Sequence, residues 1–182
     1  MDGASDEELM ARISRGDEQA FRSLASRYVP RALGLARRVL GSEPDAEEIV
    51  QEALLRVWLN AARWRPAAAF RTWFYRIVLN LCLNRKRRAP FAPLAEIAEP
   101  ADPTPNAAHR MERDETDRLV AAAIAELPDR QRVAVVLTYQ EGMSNAETAA
   151  VLGTTASGIE TLLVRARRAL RRALGSMLDP QE

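Results

Sequence analysis

Along most of the chain, apolar residues recur every three or four positions, and short Gly-, Pro- or Ser-containing breaks separate these stretches. That spacing is the mark of amphipathic helices. Ser5 followed by Glu8 forms a capping box for a short first helix, which Gly16 ends. A second helix is expected from about Asp17 to Leu40, with Gly41 as its stop. Pro30 lies inside it, a position that favours a kink. A third starts near Ser42, carries Pro44 in its first turn and runs to about Ala62. Trp64 to Ala69 reads as a loop, and a fourth helix follows from Phe70 to about Arg87. No stretch sustains the period-two alternation of a half-buried strand, so no sheet is expected. The fold class predicted is all-α.

Residues 89 to about 112 break the pattern. They hold Pro90, Pro93, Pro100, Pro103 and Pro105, half of the chain's ten prolines. Proline removes helix donors and fixes φ, so this stretch is expected to be a linker between two small helical domains. The boundaries drawn are 1–88, 89–115 and 116–182. Helices resume over about Thr116–Glu126, Asp129–Gln140, Asn145–Leu152 and Ala156–Leu174, with turns at Leu127-Pro128, Glu141-Gly142-Met143 and Gly153-Thr154-Thr155.

The last two helices carry a specific signal. Ser144 and Glu147 form a second capping box, and Gly153 stands where that short helix must stop. A short helix, a glycine turn and a longer helix make the helix-turn-helix pattern. In the final helix Ile159, Leu162, Leu163, Ala166 and Leu170 share one face. The opposite face carries Ser157, Thr161, Arg165, Arg168 and Arg172, and no acid follows Glu160 until Asp179. Polar residues at the start of such a helix can meet base edges in the major groove while later arginines hold phosphates. A solvated basic face on a bundle helix is the plainer alternative.

The third helix contains DAEEIVQEALLRVW from Asp45 to Trp58. Ile49, Val50, Ala53, Leu54 and Val57 make its buried stripe. The other side mixes Glu47, Glu48, Gln51 and Glu52 with Leu55, Trp58 and Leu59. Apolar residues among carboxylates suggest docking on a basic, partly apolar partner. Packing of Leu55 and Leu59 on neighbouring helices would explain the spacing as well. From Arg63 to Arg88 there are eight basic residues and no acids, interleaved with Trp64, Phe70, Trp73, Phe74 and Tyr75. Trp73, Phe74, Ile77, Val78 and Leu81 fit a core stripe, and most of the aromatics are expected in the core. Arg76, Asn80, Leu83 and Arg87 fall on one helical face. Arginines around one amide suit single-stranded DNA, with phosphates on the arginines and an unstacked base on the amide.

Composition narrows the alternatives. Hydrophobic residues make up 47% and charged residues 28% of 182, within the range of globular proteins. The formal net charge is only +1, so any case for nucleic acid rests on where the charges lie. The single cysteine, Cys82, rules out an internal disulfide and a cysteine-based zinc site, and suits a reducing cytoplasm. The segment MDGASDEELM is acidic and lacks the apolar core of a signal peptide, and no apolar run reaches the ~20 residues that span a bilayer. The only histidine, His109, falls in the proline-rich stretch and reads as a solvated residue. With no Gly-rich phosphate loop or metal-ligand cluster, no cofactor, metal or catalytic residue is expected.

Four blocks, DAEEIVQEALLRVW from Asp45, FRTWFYRIVLNLCLNRKRR from Phe70, LPDRQRVAVVLTYQEGMSNAETAAVLG from Leu127 and RARRALRRAL from Arg165, together resemble the extracytoplasmic-function (ECF, group IV) sigma factors of the sigma-70 family. The resemblance spans both domains, in order, with a linker between. It implies a protein that binds core RNA polymerase, at the β′ clamp helices and the β flap, and directs it to promoter DNA. An anti-sigma factor and a stress or envelope response are implied in the same way, as is a cytoplasmic location. Asp45, Glu47, Glu48, Gln51, Glu52, Leu55 and Trp58 would then dock on the β′ clamp. Arg63, Arg71, Arg76, Asn80 and Arg87 would melt and hold the −10 element, with Asn80 at the pocket for a flipped base beside the Arg63–Ala69 loop. The proline-rich linker would run toward the RNA exit channel. Ser157, Glu160, Thr161, Arg165 and Arg168 would read the −35 element. The chain departs from many relatives at Glu160 and Leu162, where they carry basic residues. A carboxylate cannot replace an Arg–guanine contact but can accept from cytosine N4. A helix-turn-helix regulator that does not bind polymerase is the alternative. It accounts for the second domain and leaves the first unexplained.

Overall fold

The structure, a computed structural model, describes residues 4–88 and 118–178, with side chains through residue 175. The proline-rich linker and His109 lie outside the described residues. Four helices form the first domain: α1 (Asp6–Ile13), α2 (Glu18–Leu40), α3 (Glu43–Asn60) and α4 (Phe70–Arg88). The first three starts are each set by a side chain that takes up an orphan N–H. The Ser5 hydroxyl accepts from Glu8 N–H at 3.1 Å while the Glu8 carboxylate accepts from Ser5 N–H at 2.7 Å. Asp17 accepts from Ala20 N–H at 3.0 Å, which holds its carboxyl below the ordinary range. Ser42 caps α3 with Pro44 in the first turn. Pro30 does not interrupt α2, which runs on to Gly41 in the left-handed region.

The core of this domain is aromatic on one side. Phe70 and Phe74 stack with centroids 5.7 Å apart. Tyr28 of α2 meets them edge-on at 5.1 and 5.5 Å, and its hydroxyl donates to Asp6 of α1. Phe70, Phe74 and Tyr75 are each 2% exposed or less, so their rings bind the fold together and cannot stack on bases.

In the second domain residues 118–125 form α5, followed by α6 (Asp129–Val135), α7 (Asn145–Leu152) and α8 (Ala156–Leu178). The sequence predicts one regular helix from Asp129 to Gln140. The structure instead widens its last five residues, Val136–Gln140, into a π turn, with the Glu141 N–H donating to the Val136 carbonyl at 3.1 Å. The last helix runs four residues beyond its expected end at Leu174. Helix α6 has two apolar sides. Ala134 and Val135 pack with Ile124, Leu127, Ala149, Ile159, Leu163 and Ala166 into the domain's own core. Val133, Val136 and Leu137, with Met143 and Val151, join the core of the first domain instead. Such a two-sided helix holds the domains together as a single packed body. No strand occurs among the described residues.

Candidate polymerase and promoter interfaces

Three surfaces carry the chemistry anticipated from the sequence. On α3, Ile49, Val50, Ala53 and Val57 are buried while Glu47, Glu48 and Gln51 face solvent. Leu55 is 55% and Leu59 67% exposed, so neither is filling a neighbouring helix. Trp58 differs: its ring packs edge-on against Phe21 at 5.3 Å, and the side chain is partly buried against the core. The acids are partly engaged. Arg85 of α4 pairs with Asp45 at 2.8 Å and with Glu48 at 2.6 Å, and Glu52 pairs with Arg56 at 2.6 Å. The Glu48 hydrogen bond raises the pKa of Arg85 further above its ordinary value. A ridge of two bare leucines bordered by carboxylates is suited to a partner that offers an apolar groove with a basic rim.

The residues expected to hold single-stranded DNA separate into two places. Arg63, Trp64, Arg65, Trp73, Ile77, Asn60 and Arg56 line an open cleft between the end of α3, the 61–69 loop and α4. Trp64 and Trp73 lie 6.5 Å apart there and remain partly accessible. Asn80 is exposed but does not line that cleft. With Arg76, Leu79 and Leu83 it borders a second cavity of about 150 Å³, whose far wall is Asp129, Arg130, Val133, Val151, Leu152 and Gly153. Arg71 is turned toward the second domain, pairing with Glu147 at 2.7 Å and donating to the Glu141 carbonyl at 3.3 Å. The Arg71 guanidinium, helped by the Ser144 N–H, holds the Glu147 carboxyl below the ordinary carboxylate range. Arg87 is exposed and donates to Asn84. Cys82 is fully buried behind this face; burial pushes its thiol up to about 12, far from reactive.

The third surface is α8. Gly153, at φ +63°, ends α7, and the Thr155 hydroxyl caps α8 by accepting from Gly158 N–H at 3.1 Å. A Cβ on residue 158 would stand 2.6 Å from the Thr154 hydroxyl, so glycine lets the turn pack close to the helix start. Sequence reasoning did not single out Gly158; its position three residues after the Thr154-Thr155 turn was the available signal. Ile159, Leu163 and Ala166 are buried and Leu162 half-buried, while Ser157, Glu160, Thr161, Arg165 and Arg168 are exposed. The Thr161 hydroxyl donates back to the Ser157 carbonyl at 3.0 Å, which leaves its oxygen free to accept. The helix start thus offers hydroxyls and one carboxylate, and its middle offers arginines.

Comparison with known proteins defines the class. Residues 24–90 match Sigma-70 region 2 and residues 117–170 match Sigma-70, region 4. The chain is 38% identical to the ECF RNA polymerase sigma factor SigM of Mycobacterium tuberculosis, over 94% of this chain and 85% of that one. It is 32% identical to the RNA polymerase sigma-H factor of Pseudomonas aeruginosa, over 95% of each. The solved structure of CnrH in complex with the cytosolic domain of CnrY superposes with a TM-score of 0.71 at 28% identity, over 98% of this chain and 100% of that one. These two regions in this order define a promoter-recognition factor of bacterial transcription. The chain belongs to the ECF sigma factors of the sigma-70 family. Sigma factors are transcription initiation factors. No helix among the described residues is long and apolar enough to cross a membrane, and none of their His, Cys, Asp and Glu side chains cluster to hold a metal ion.

Proposed function

We propose that the chain binds core RNA polymerase through α3 and directs promoter-specific initiation, with α4 and the 61–69 loop acting on the −10 element and α8 reading the −35 element. It works in the cytoplasm and performs no catalysis of its own. The working units are residues 1–88, a linker over 89–115, and residues 116–182. The observation that carries the reading is the exposed pair Leu55 and Leu59 on an acidic helix, within the part of the chain that matches region 2. A free-standing helix-turn-helix regulator has no need of that ridge. Asp45, Glu47, Glu48, Gln51, Glu52, Leu55 and Trp58 make the clamp contact, with Trp58 contributing one edge only. Arg63 serves the cleft beside Trp64 and Trp73. Arg71, Arg76, Asn80 and Arg87 serve the face of α4. Ser157, Glu160 and Thr161 meet base edges, and Arg165 and Arg168 hold phosphates. An anti-sigma factor that covers these surfaces fits the same reading, since a relative is solved with a partner's cytosolic domain.

In vitro transcription with core polymerase on a promoter library tests the assignment. Selective start sites bearing shared −35 and −10 sequences are expected. Failure to bind core polymerase at low salt would overturn it.

A further inference from the structure

The two domains meet across the face of α4 proposed above to act on the −10 element, and the contact is built from acids on one side and bases on the other. The second domain supplies Glu141, Glu147 and Asp129; the first supplies Arg71, Arg31 and Lys86. Glu147 takes Arg71 at 2.7 Å, and both Asp129 oxygens lie 2.8 Å from Lys86 Nζ. At the centre the Tyr75 hydroxyl donates to the Glu141 carboxylate, whose side chain is only 7% exposed and has Arg31 Nε 4.0 Å away. Arg132 of α6 reaches across to the Arg38 carbonyl near the end of α2 at 2.7 Å, satisfying a helix-end acceptor. Behind these pairs Val133, Val136, Leu137, Met143 and Val151 bury against the first domain. The π turn delivers Glu141 to this point, which gives that departure from regular helix a purpose.

We infer that the second domain, in the chain free of polymerase, closes on α4 as an internal competitor for promoter DNA, Glu147 occupying Arg71 where a phosphate would sit and Asp129 and Glu141 neutralising the neighbouring Lys86 and Arg31, with Tyr75–Glu141 as the central latch. The inference rests on the assignment of α4 to the −10 element. Arg71 cannot hold a phosphate while it holds Glu147. Asn80 and Arg76 remain exposed, but they border a cavity of about 150 Å³ facing a protein wall, too small for a nucleotide with its sugar and phosphate. Closing the latch with one partner altered buries the other without its hydrogen bond, so single substitutions at this pair favour the open form.

The test uses the full chain alone, in small-angle scattering and in binding to a single-stranded −10 oligonucleotide. Wild type should scatter as a compact body, with a radius of gyration near that of a folded 182-residue chain, about 16 Å. Glu141→Lys places a cation beside Arg31 and Arg71; it should expand the molecule and raise oligonucleotide affinity severalfold. Tyr75→Phe keeps the ring in the core and removes only the hydroxyl. It should shift both readouts the same way by less, and it answers for Glu141→Lys if that variant misfolds. An extended wild type overturns the inference, as does compaction only after an anti-sigma domain is added. Expansion without any gain in oligonucleotide affinity overturns it too. Promoter-directed transcription by the wild type reads the sigma assignment separately, because scattering involves neither DNA nor polymerase.

Discussion

The two helices assigned to DNA, α8 and α4, present their polar faces in opposite circumstances. On α8 the residues Ser157, Glu160, Thr161, Arg165 and Arg168 all face solvent, and no ion pair among the described residues engages the two arginines or Glu160. On α4 three of the basic residues are taken up by protein, while Arg76, Arg87 and Arg88 stay exposed. Arg71 and Lys86 are paired with acids of the second domain, and Arg85 with acids of α3. The difference teaches that a basic face in the sequence is not yet a DNA site; its availability is set by what folds against it. The helix expected to meet duplex is open for inspection of DNA at once. The helix expected to meet melted strands is held until the domains part, and melted strands exist only once polymerase is present.

The largest expected effect breaks the open side of this comparison. Arg165→Ala with Arg168→Ala removes two phosphate contacts, so the salt slope of −35 duplex binding should fall by about two units and affinity by tens-fold at 0.1 M salt. An unchanged slope would mean these arginines do not touch the backbone. The next effect sharpens the covered side. Asn80→Ala should cost ~1–3 kcal/mol of preference at a single −10 position in the polymerase complex. In the chain alone the same substitution should be nearly silent, because the closed form withholds that face. Arg87→Ala should weaken −10 binding evenly and reduce the slope by about one unit. A promoter-variant selection by each protein separates the two: intact −10 preference in the Asn80 variant would remove that residue from base reading.

Much of this fold is written locally and could be read from the chain. The capping boxes at Ser5 and Ser144 and the stops at Gly41 and Gly153 sit where the sequence places them, because each acts over three or four residues. The stripe Ile49, Ala53, Val57 is buried and the polar face of α8 is exposed, as helical periodicity requires. What could not be read acts over long separations. Tyr75 and Glu141 are 66 positions apart, and nothing in either neighbourhood says that they meet. The π turn that precedes Glu141 is likewise announced by no local pattern of Val136 to Gln140. The same holds at Asn80. Its helical face was correct, yet its neighbours come from α6 and the turn after α7, and the 61–69 loop lines a different cleft. Leu55 and Leu59 show the reverse case: two packing options were equal by spacing, and only the exposed surface separates them.

A smaller effect belongs to α3, which lies away from the domain contact and so should behave like α8. Glu48→Lys with Glu52→Lys should lower core polymerase affinity roughly tenfold, chiefly through the association rate and more at low salt. Both acids sit in solvent-accessible ion pairs, with Arg85 and Arg56, and such pairs add little to stability. Helical content should therefore be unchanged. Equal affinity in a folded double variant would take these acids out of the interface. A loss of affinity together with compaction changes would tie α3 to the closed form after all, through Arg85.

The smallest effect concerns Glu160 and decides what kind of open face α8 presents. The residue is exposed one turn after the Thr155 cap, next to Thr161 and beside the arginine row. Early positions of a recognition helix point into the groove, while later turns climb toward the backbone. Two roles are then possible for a carboxylate here, and their signatures are opposite. If it accepts from a cytosine N4, Glu160→Ala loses preference at one −35 position and gains nothing elsewhere. If it only stands near phosphate, Glu160→Ala binds every −35 variant more tightly, by about 1 kcal/mol or less, with its preferences intact. We expect the first. The Thr161 hydroxyl beside it is already committed as a donor to the Ser157 carbonyl, so it too can only accept, and a patch of acceptors at the helix start matches a base that donates. A selection of −35 variants by wild type and Glu160→Ala distinguishes the roles in one experiment. Indifference to the −35 sequence in both proteins would remove α8 from base reading and leave it, like α4 in the closed chain, a basic face without access to a base.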